Sequence, residues 1–212
     1  MSDGASLRAA ERHLKGSDPV MATLVSRIGR CRLDDVQRTR GFEALTEAIV
    51  YQQLSMQAAA TIHRRFKKVL GGRRPSPEAI LACSTGQLRG AGLSRQKIGY
   101  LRDLAGKVKN GSLSLRRLPH LDDDEAIAAL TRVKGIGRWT AQMYLIFRLG
   151  RLDVLPVDDL GVRDSARRLY GLAELPAAPQ LERVAEPWRP YRSVACWYLW
   201  RARRGGGLQP ES

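Results

Sequence analysis

Apolar residues recur three and four positions apart along almost the whole of this 212-residue chain, and no convincing run alternates apolar and polar residues. A spacing of three and four places apolar side chains on one face of a helix, whereas alternation is typical of a half-buried strand. The sequence therefore predicts an all-α fold. Because 43% of the residues are hydrophobic, the chain can bury a substantial core, in one domain or in two closely joined lobes.

Segments rich in glycine and proline separate the helical patterns, among them GGRRPSP, LPHLDDD and EPWRPYRS. Between such breakers, the apolar spacing and the capping signals predict helices over residues 6–14, 19–29, 41–70, 77–83, 85–91, 94–110, 122–133, 138–149, 159–170, 179–185 and 193–203. The final segment, GGGLQPES at 205–212, predicts a flexible tail.

Positive charge dominates the composition, with 36 lysine and arginine residues against 21 aspartate and glutamate residues and a formal net charge of +15. Such an excess favours a polyanionic partner, and nucleic acid is the first candidate. Some proteins are basic for reasons unrelated to nucleic acid, so charge alone leaves the partner open.

The three cysteines, Cys31, Cys83 and Cys196, lie far apart and form no C-x-x-C pair. This spacing argues against a zinc site or a disulfide framework, and it predicts buried thiols in a reducing cytosol. The three histidines are scattered, without the spacing of metal ligands. No stretch, the amino-terminal one included, approaches the roughly 18 to 20 apolar residues of a membrane span. The sequence thus predicts a soluble, cytoplasmic protein with no membrane partner.

Residues 134–142, KGIGRWTAQ, place two glycines between two helical patterns. Asp122 and Glu125 have the spacing of a capping box at the start of the first helix. Gly135 and Gly137 allow a positive φ or a close backbone approach, and the second helix follows directly. A helix start behind glycines suits a phosphate group, but ordinary glycine turns between helices are common. The glycines alone do not separate these two interpretations.

Four ordered segments carry a resemblance to a known family: AIVYQQLSMQAAATIHRRF, LRGAGLSRQKIGYLRDLA, LTRVKGIGRWTAQMYLIF and LDVLPVDDLGVRDSARRLYG. The resemblance spans about residues 42–200. In these segments the chain resembles the helix-hairpin-helix DNA glycosylase superfamily, whose hairpin is followed by a Gly/Pro-rich loop and an aspartate. Within that superfamily it is most similar to the branch of 3-methyladenine DNA glycosylase II.

The resemblance implies a two-lobed helical bundle, a single glycosylase unit over residues 1–212 with the active-site cleft between its lobes. One lobe comprises about residues 38–150 and contains the helix-hairpin-helix motif at 122–149. The other lobe comprises about residues 1–37 together with 151–204.

In this family the hairpin holds the DNA backbone through main-chain N–H groups and through a monovalent cation bound by hairpin carbonyls. The resemblance assigns the backbone contacts to Gly135, Gly137, Arg138 and Thr140. It assigns the carbonyl ligands of a structural Na+ or K+ to Thr131, Val133 and Ile136. No cofactor for catalysis is implied. Such contacts fix the position of the DNA without reading its sequence.

A glycosidic bond inside a duplex is reached by turning the nucleotide out of the stack, after which the gap must be filled. In the family the filling side chain comes from the loop near YQQLS, so the resemblance makes Gln53 or Leu54 the wedge. Leu54 can equally be a core leucine. Gln52 and Gln53 are adjacent amides in an apolar helical segment, and such amides need hydrogen-bond partners.

Aromatic rings suit a pocket for an alkylated purine, because an electron-rich ring face attracts a cationic base and stacks on it. The resemblance places Trp139, Met143 and Trp200 in this pocket, with Met143 standing where the most similar branch has a tyrosine. Trp188 and Trp197 lie near Trp200 in the sequence, but tryptophans at helical spacing are more often core residues.

Two adjacent carboxylates, Asp158 and Asp159, precede a predicted helix. A breaking N-glycosidic bond develops positive charge on the sugar, so a carboxylate beside it serves as an electrostatic partner or as a base for water. The catalytic aspartate of the family maps to Asp159, although one of the pair can simply cap the helix. Trp139 stands where the members that also cut the strand carry a lysine, and tryptophan cannot form the Schiff base of that reaction.

The sequence thus predicts a monofunctional DNA glycosylase that hydrolyses the N-glycosidic bond of alkylated bases of the 3-methyladenine type. It would act as a monomer on damaged double-stranded DNA in base excision repair. The alternative is a non-catalytic helix-hairpin-helix DNA-binding protein, which needs neither Asp159 nor an aromatic pocket. A glycosylase that also cuts the strand is a third interpretation, and Trp139 argues against it. The range of lesions stays open.

Overall fold

The computed structural model describes residues 4–36 and 41–204, and this part of the chain is helical without β-strands. Its α-helices, in chain order, are α1 (Gly4–Ser17), α2 (Pro19–Ile28), α3 (Gly41–Tyr51), α4 (Met56–Val69), α5 (Pro77–Ala82), α6 (Thr85–Gly90), α7 (Arg95–Lys109), α8 (Asp123–Thr131), α9 (Arg138–Tyr144), α10 (Leu160–Leu169), α11 (Ala178–Val184) and α12 (Arg192–Arg204). The predicted all-α fold is confirmed for these residues, and the predicted tail at 205–212 lies outside them. None of these helices is long and apolar enough to cross a membrane.

The chain divides into two compact units. The hairpin unit comprises residues 41–144 and contains α3 to α9, and the aspartate unit comprises residues 4–36 and 145–204 and contains the other helices. The division falls between Tyr144 and Leu145, inside the helix predicted over 138–149. That helix is an α-helix only as far as Tyr144 and then widens into the π-helical turn Leu145–Leu149.

In the hairpin unit, α7 packs against α3, α5 and α6, and α8 pairs with α9. Leu45 and Ile49 of α3 and Leu101 and Leu104 of α7 are fully buried. These residues lie three and four positions apart, so they confirm the apolar spacing from which the helices were predicted.

The helix predicted over residues 41–70 is in fact two helices, because the chain turns at residues 52–55, called the wedge turn below. Ser55 starts α4 by accepting a hydrogen bond on its Oγ from Ala58 N at 3.3 Å. Gln53 adopts a φ of +54°, in the left-handed region that interrupts a helix. The turn contains neither glycine nor proline, so the breaker signal on which the prediction relied is absent.

In the aspartate unit, α12 packs against α1, α2 and α10. The same unit contains a buried carboxylate, Asp18. It accepts hydrogen bonds from Tyr170 Oη at 2.7 Å, Trp188 Nε1 at 3.0 Å and Met21 N at 3.0 Å. Burial, and then the hydrogen bond to Asp18, raise the pKa of Tyr170. With three donors, the Asp18 carboxylate is satisfied although it is buried.

The three cysteines are free thiols and all are buried, as the sequence predicted. Burial raises the pKa of Cys31 to about 12, and burial also raises the pKa of Cys196. Both thiols therefore stay protonated at neutral pH, which makes them poor nucleophiles.

Candidate functional site

Helices α8 and α9 form the predicted hairpin, and residues 132–137 between them form the hairpin loop. The predicted capping box is confirmed, since Glu125 N donates to Asp122 Oδ1 at 2.8 Å and Asp122 N donates to Glu125 Oε2 at 3.1 Å. Val133 and Ile136 are 1% and 3% exposed, and Ile136 N donates to Val133 O at 3.0 Å. These two side chains anchor the hairpin loop in the core of its unit.

Of the two glycines in the hairpin loop, Gly135 has a conformational and a steric reason to be glycine. Its φ is +83°, and a Cβ at this position would overlap the ring of Tyr100. A Cβ on Gly137 would meet no atom within 4 Å, and its φ is not positive. The expected glycine requirement therefore holds at Gly135, whereas at Gly137 nothing in the protein itself demands it.

Helix α7 contacts the hairpin loop through Asp103. Asp103 Oδ2 accepts a hydrogen bond from Lys134 N at 2.9 Å, and Asp103 Oδ1 accepts one from Lys107 Nζ at 2.6 Å. Burial raises the pKa of the Asp103 carboxyl, but the hydrogen bonds from Lys107 and from the Lys134 N–H outweigh burial and lower the pKa overall. Asp103 is thus a charged acceptor that stabilises the backbone of the hairpin loop at Lys134.

Both predicted wedge residues are exposed on the wedge turn. Leu54 is 38% exposed, so its interpretation as a core leucine is wrong. Gln52 is half-buried, and its Nε2 donates to Gly135 O at 2.8 Å, which supplies the partner that its amide needs. Gln53 is exposed to solvent. The wedge turn is therefore bonded directly to the hairpin loop within the hairpin unit.

Lys97 is a further residue of this region, and no motif in the sequence points to it. Its Nζ donates to Val50 O and to Gln52 O, each at 2.7 Å. Burial lowers the pKa of Lys97. The partners lie 47 and 45 positions away along the chain, so no local pattern marks the contact.

Asp159 is the N-cap of α10, as one interpretation of the sequence held. Its Oδ1 accepts a hydrogen bond from Val162 N at 2.8 Å. The same oxygen accepts a second hydrogen bond from Trp200 Nε1 at 2.9 Å. Two donors on one oxygen fix the direction of the carboxylate more closely than a cap alone would.

Close packing surrounds the contact between Asp159 and Trp200. A Cβ on Gly161 would lie 3.0 Å from Asp159 Oδ1 and 3.2 Å from Trp200 Cδ1. The Phe147 ring lies against Trp200, with 5.5 Å between ring centroids. No sequence motif marks Gly161 or Phe147, because the contact between Asp159 and Trp200 joins residues 41 positions apart and has no local signature.

Residues 152–154, which precede α10, are hydrogen-bonded to the start of α12. Ser193 is fully buried; its N donates to Leu152 O at 2.9 Å, and its Oγ accepts from Val154 N at 2.9 Å. Arg192 donates two parallel hydrogen bonds to the Asp153 carboxylate from one edge of its guanidinium, Nε to Oδ1 at 2.7 Å and Nη2 to Oδ2 at 2.9 Å. Such a bidentate pair fixes orientation as well as distance.

The residues predicted for the base pocket lie on two helices. Trp139 and Met143 are one turn apart on α9, where Trp139 is 48% exposed and Met143 is half-buried. Trp200 is half-buried on α12. Trp188 and Trp197 are 0% and 6% exposed, so their interpretation as core residues is confirmed.

The carbonyls predicted for a Na+ or K+ site belong to the end of α8 and to the hairpin loop. Thr131 is the last residue of α8, where helix carbonyls lack partners within the helix. Val133 O accepts from Ile136 N, which engages one of its two lone pairs. Carbonyl oxygens are ligands of the type that a hard cation prefers. Within the part of the chain that the structure describes, no cluster of three His, Cys, Asp or Glu residues could hold a metal ion.

Residues 46–190 match the HhH-GPD superfamily of base excision DNA repair proteins. The chain belongs to this family. The matched residues include the wedge turn, the hairpin and Asp159. The DNA-3-methyladenine glycosylase 1 of Schizosaccharomyces pombe is 37% identical over 202 residues, which cover 94% of this chain and 89% of the relative.

Two solved structures are similar to this chain over most of their length. The 3-methyladenine DNA glycosylase Mag1 of S. pombe, in complex with abasic DNA, has a TM-score of 0.79 and 35% identity, covering 92% of this chain and 97% of that chain. The DNA-3-methyladenine glycosidase of Bacillus halodurans has a TM-score of 0.74 and 37% identity, covering 87% of this chain and 89% of that chain.

Proposed function

We propose that this HhH-GPD protein is a DNA glycosylase of the 3-methyladenine DNA glycosylase II type, acting in base excision repair. It hydrolyses the N-glycosidic bond between an alkylated base and the sugar of double-stranded DNA. The observation that carries the proposal is the Asp159 carboxylate, which Val162 N and Trp200 Nε1 hold at the start of α10. The relatives named as 3-methyladenine glycosylases, matched over nearly the whole chain, support it.

The reaction begins when the damaged nucleotide leaves the helical stack, because its glycosidic bond is inaccessible inside the duplex. Gln53 or Leu54 then fills the gap. Their exposure on the wedge turn supports this role, since a wedge must project from the surface. The roles of Trp139, Met143 and Trp200 as contacts for the extruded base stay predictions from the family resemblance.

Asp159 acts when the bond between the base nitrogen and C1′ breaks. The bonding electron pair leaves with the base, so a base that was cationic departs neutral and the sugar becomes an oxocarbenium-like cation. The Asp159 carboxylate stabilises this developing charge. Water then adds to C1′ and gives up a proton, either to the Asp159 carboxylate as base or to bulk water, which leaves an abasic site and the free base.

The DNA backbone is held by the hairpin loop and the start of α9. Gly135, Gly137, Arg138 and Thr140 are the proposed contact residues. The carbonyls of Thr131, Val133 and Ile136 would hold a Na+ or K+, which supplies positive charge near a phosphate. Contacts of this kind add affinity for any sequence, as a repair enzyme that inspects all DNA requires.

We also propose that the enzyme does not cut the DNA strand and that it works as a monomer in the cytoplasm. Strand cleavage in this family needs a lysine that forms a Schiff base with C1′, and Trp139 stands at that position. Borohydride trapping on lesion-containing DNA should therefore yield no covalent adduct. A trapped adduct would overturn the monofunctional assignment and direct attention to another lysine, such as Lys134.

The test of the proposed function is a panel of duplex oligonucleotides, each with one lesion. The lesions are 3-methyladenine, 7-methylguanine, hypoxanthine, ethenoadenine, and methylated adenine and cytosine. After incubation with the protein, alkali cuts each abasic site, so one gel reports activity and lesion range together. Binding of the duplexes without any excision would favour the non-catalytic DNA-binding alternative.

A further inference from the structure

We propose that Lys97 and Gln52 are positioning residues for the wedge turn, holding Gln53 in its left-handed conformation and tying the turn to the hairpin loop. The wedge turn, which extrudes the nucleotide, then keeps a fixed position relative to the hairpin loop, which binds the DNA backbone. This inference rests on the proposed function, because it concerns how that reaction extrudes its substrate.

The first support is the backbone of Gln53. A φ of +54° is unfavourable for a residue with a Cβ, so something must compensate for it. Lys97 Nζ donates to Gln52 O at 2.7 Å, and this carbonyl belongs to the peptide group that joins Gln52 to Gln53. Rotation about the φ of Gln53 moves this peptide group relative to the rest of the turn. Fixing the carbonyl therefore fixes the direction in which Gln53 and Leu54 project.

The second support is the chemistry of Lys97. The same Nζ also donates to Val50 O in the last turn of α3, at 2.7 Å. One cationic group thus joins the end of α3 to the wedge turn, and an ammonium has enough donors for both bonds. An apolar residue here would leave two carbonyls without their donor, which is costly in a half-buried position.

The third support is the link to the hairpin loop. Gln52 Nε2 donates to Gly135 O at 2.8 Å, and Gly135 lies against the ring of Tyr100. Tyr100 is one turn beyond Lys97 on α7, and Asp103, a turn further, accepts from Lys134 N. A single face of α7 therefore contacts both the wedge turn and the hairpin loop, so neither can shift without disturbing the other.

The physical consequence concerns the extruded state. The hairpin loop fixes the protein on the backbone, and the wedge must then enter the stack at one position relative to that anchor. If the wedge turn were loose, part of the energy of inserting the wedge would be spent on ordering it. Lys97 and Gln52 order the turn before DNA binds, and their loss should therefore slow extrusion more than any other step.

The experiment compares single-turnover excision of one lesion in two duplexes, using the full-length protein. In the first duplex the lesion is paired, and in the second it lies opposite an abasic site, where no partner must be unpaired and extrusion costs less. Lys97→Met keeps an unbranched side chain as far as Cε and removes Nζ, and with it both hydrogen bonds. We expect this variant to excise the paired lesion about tenfold or more slowly than the wild type, and the unpaired lesion no more than about threefold more slowly.

Lys109→Met, an exposed lysine at the end of the same helix, is the matched control and should excise both lesions at the wild-type rate. Equal losses of Lys97→Met on the two duplexes would overturn the inference, and so would wild-type rates on both. If Lys97→Met melts below the assay temperature, the same comparison is made with Gln52→Met, and the same outcomes decide. Absence of excision by the wild-type protein would instead refute the proposed function.

Discussion

Among single residues, Asp159 has an observed structural role as the N-cap of α10 and a proposed chemical role at the glycosidic bond. Its Oδ1 caps α10 through Val162 N and also accepts from Trp200 Nε1. An asparagine could keep the cap, because its amide oxygen accepts the same bonds, but it could not balance positive charge on a sugar. Structural and chemical contributions can therefore be separated by one substitution.

Asp159→Asn should lower single-turnover excision by at least about a hundredfold, because the developing charge loses its counter-ion. Affinity for undamaged duplex should be unchanged or slightly higher, since a negative group has been removed. Asp158→Asn is the control, for Asp158 is exposed and makes no such contact with Trp200. Near wild-type excision by the Asp159 variant, with an unchanged melting temperature, would refute the assignment. Loss of excision in the Asp158 variant would instead identify Asp158 as the catalytic carboxylate.

Trp200→Phe tests whether the indole N–H orients the Asp159 carboxylate. Phenylalanine keeps a ring for packing against Phe147 but loses the 2.9 Å hydrogen bond. We expect excision to fall about tenfold in the wild-type background and less than about twofold in the Asp159→Asn background, because residues that act together are not additive. The same loss in both backgrounds would mean that Trp200 acts independently of Asp159.

At the scale of elements, the hairpin loop shows how one helix sets the conformation of two turns. Three side chains of helix α7 contact these turns. The Tyr100 ring lies against Gly135, Asp103 accepts from Lys134 N, and Lys97 donates to the wedge turn. The loop and the turn are short and irregular, and their conformations come from these contacts rather than from local propensity.

The two hairpin glycines give a direct test of this dependence. Gly135→Ala forces a Cβ into the Tyr100 ring and a non-glycine residue into φ +83°, so it should destabilise the protein by about 2 kcal/mol or more. Gly137→Ala meets open space, and its stability should lie within about 1 kcal/mol of wild type. Urea unfolding of both variants measures the difference. Equal stabilities would show that the loop adapts and that Tyr100 does not constrain it.

The elements that the sequence predicted well are those with local signals. The capping box at Asp122 and Glu125 was read from two residues, and most helix bounds fall within about three residues of the prediction, as apolar spacing allows. The apolar pattern gives no sign of the wedge turn, which contains neither glycine nor proline, and only the family resemblance places a loop near YQQLS. The contact between Asp159 and Trp200 has no local signature either, since it joins residues that lie 41 positions apart.

For the whole molecule, the dominant property is the formal charge of +15. Part of the positive charge is paired with carboxylates of the protein itself; Arg192 and Arg189, for example, both bind Asp153. The side chain of Arg192 is only 17% exposed and binds Asp153 through two nitrogens, so it has little charge to offer a phosphate. Arg138, by contrast, has a side chain that is 57% exposed, and its contact with Asp124 is long at 3.9 Å. A pair of this type is weak in water, so Arg138 is available to DNA.

Affinity for undamaged duplex should therefore fall steeply with salt, by at least about a hundredfold between 50 mM and 200 mM, because phosphate contacts release condensed counterions. Arg138→Gln should weaken binding similarly on every sequence and reduce the slope of log K against log salt by about one. Arg189→Gln is the control, and it should leave the slope unchanged because its guanidinium already binds Asp153 and Glu186. Fluorescence anisotropy over a salt series gives all three slopes. A flat wild-type slope would remove the electrostatic basis for DNA as the partner, and equal slopes for wild type and Arg138→Gln would remove Arg138 from the DNA-binding surface.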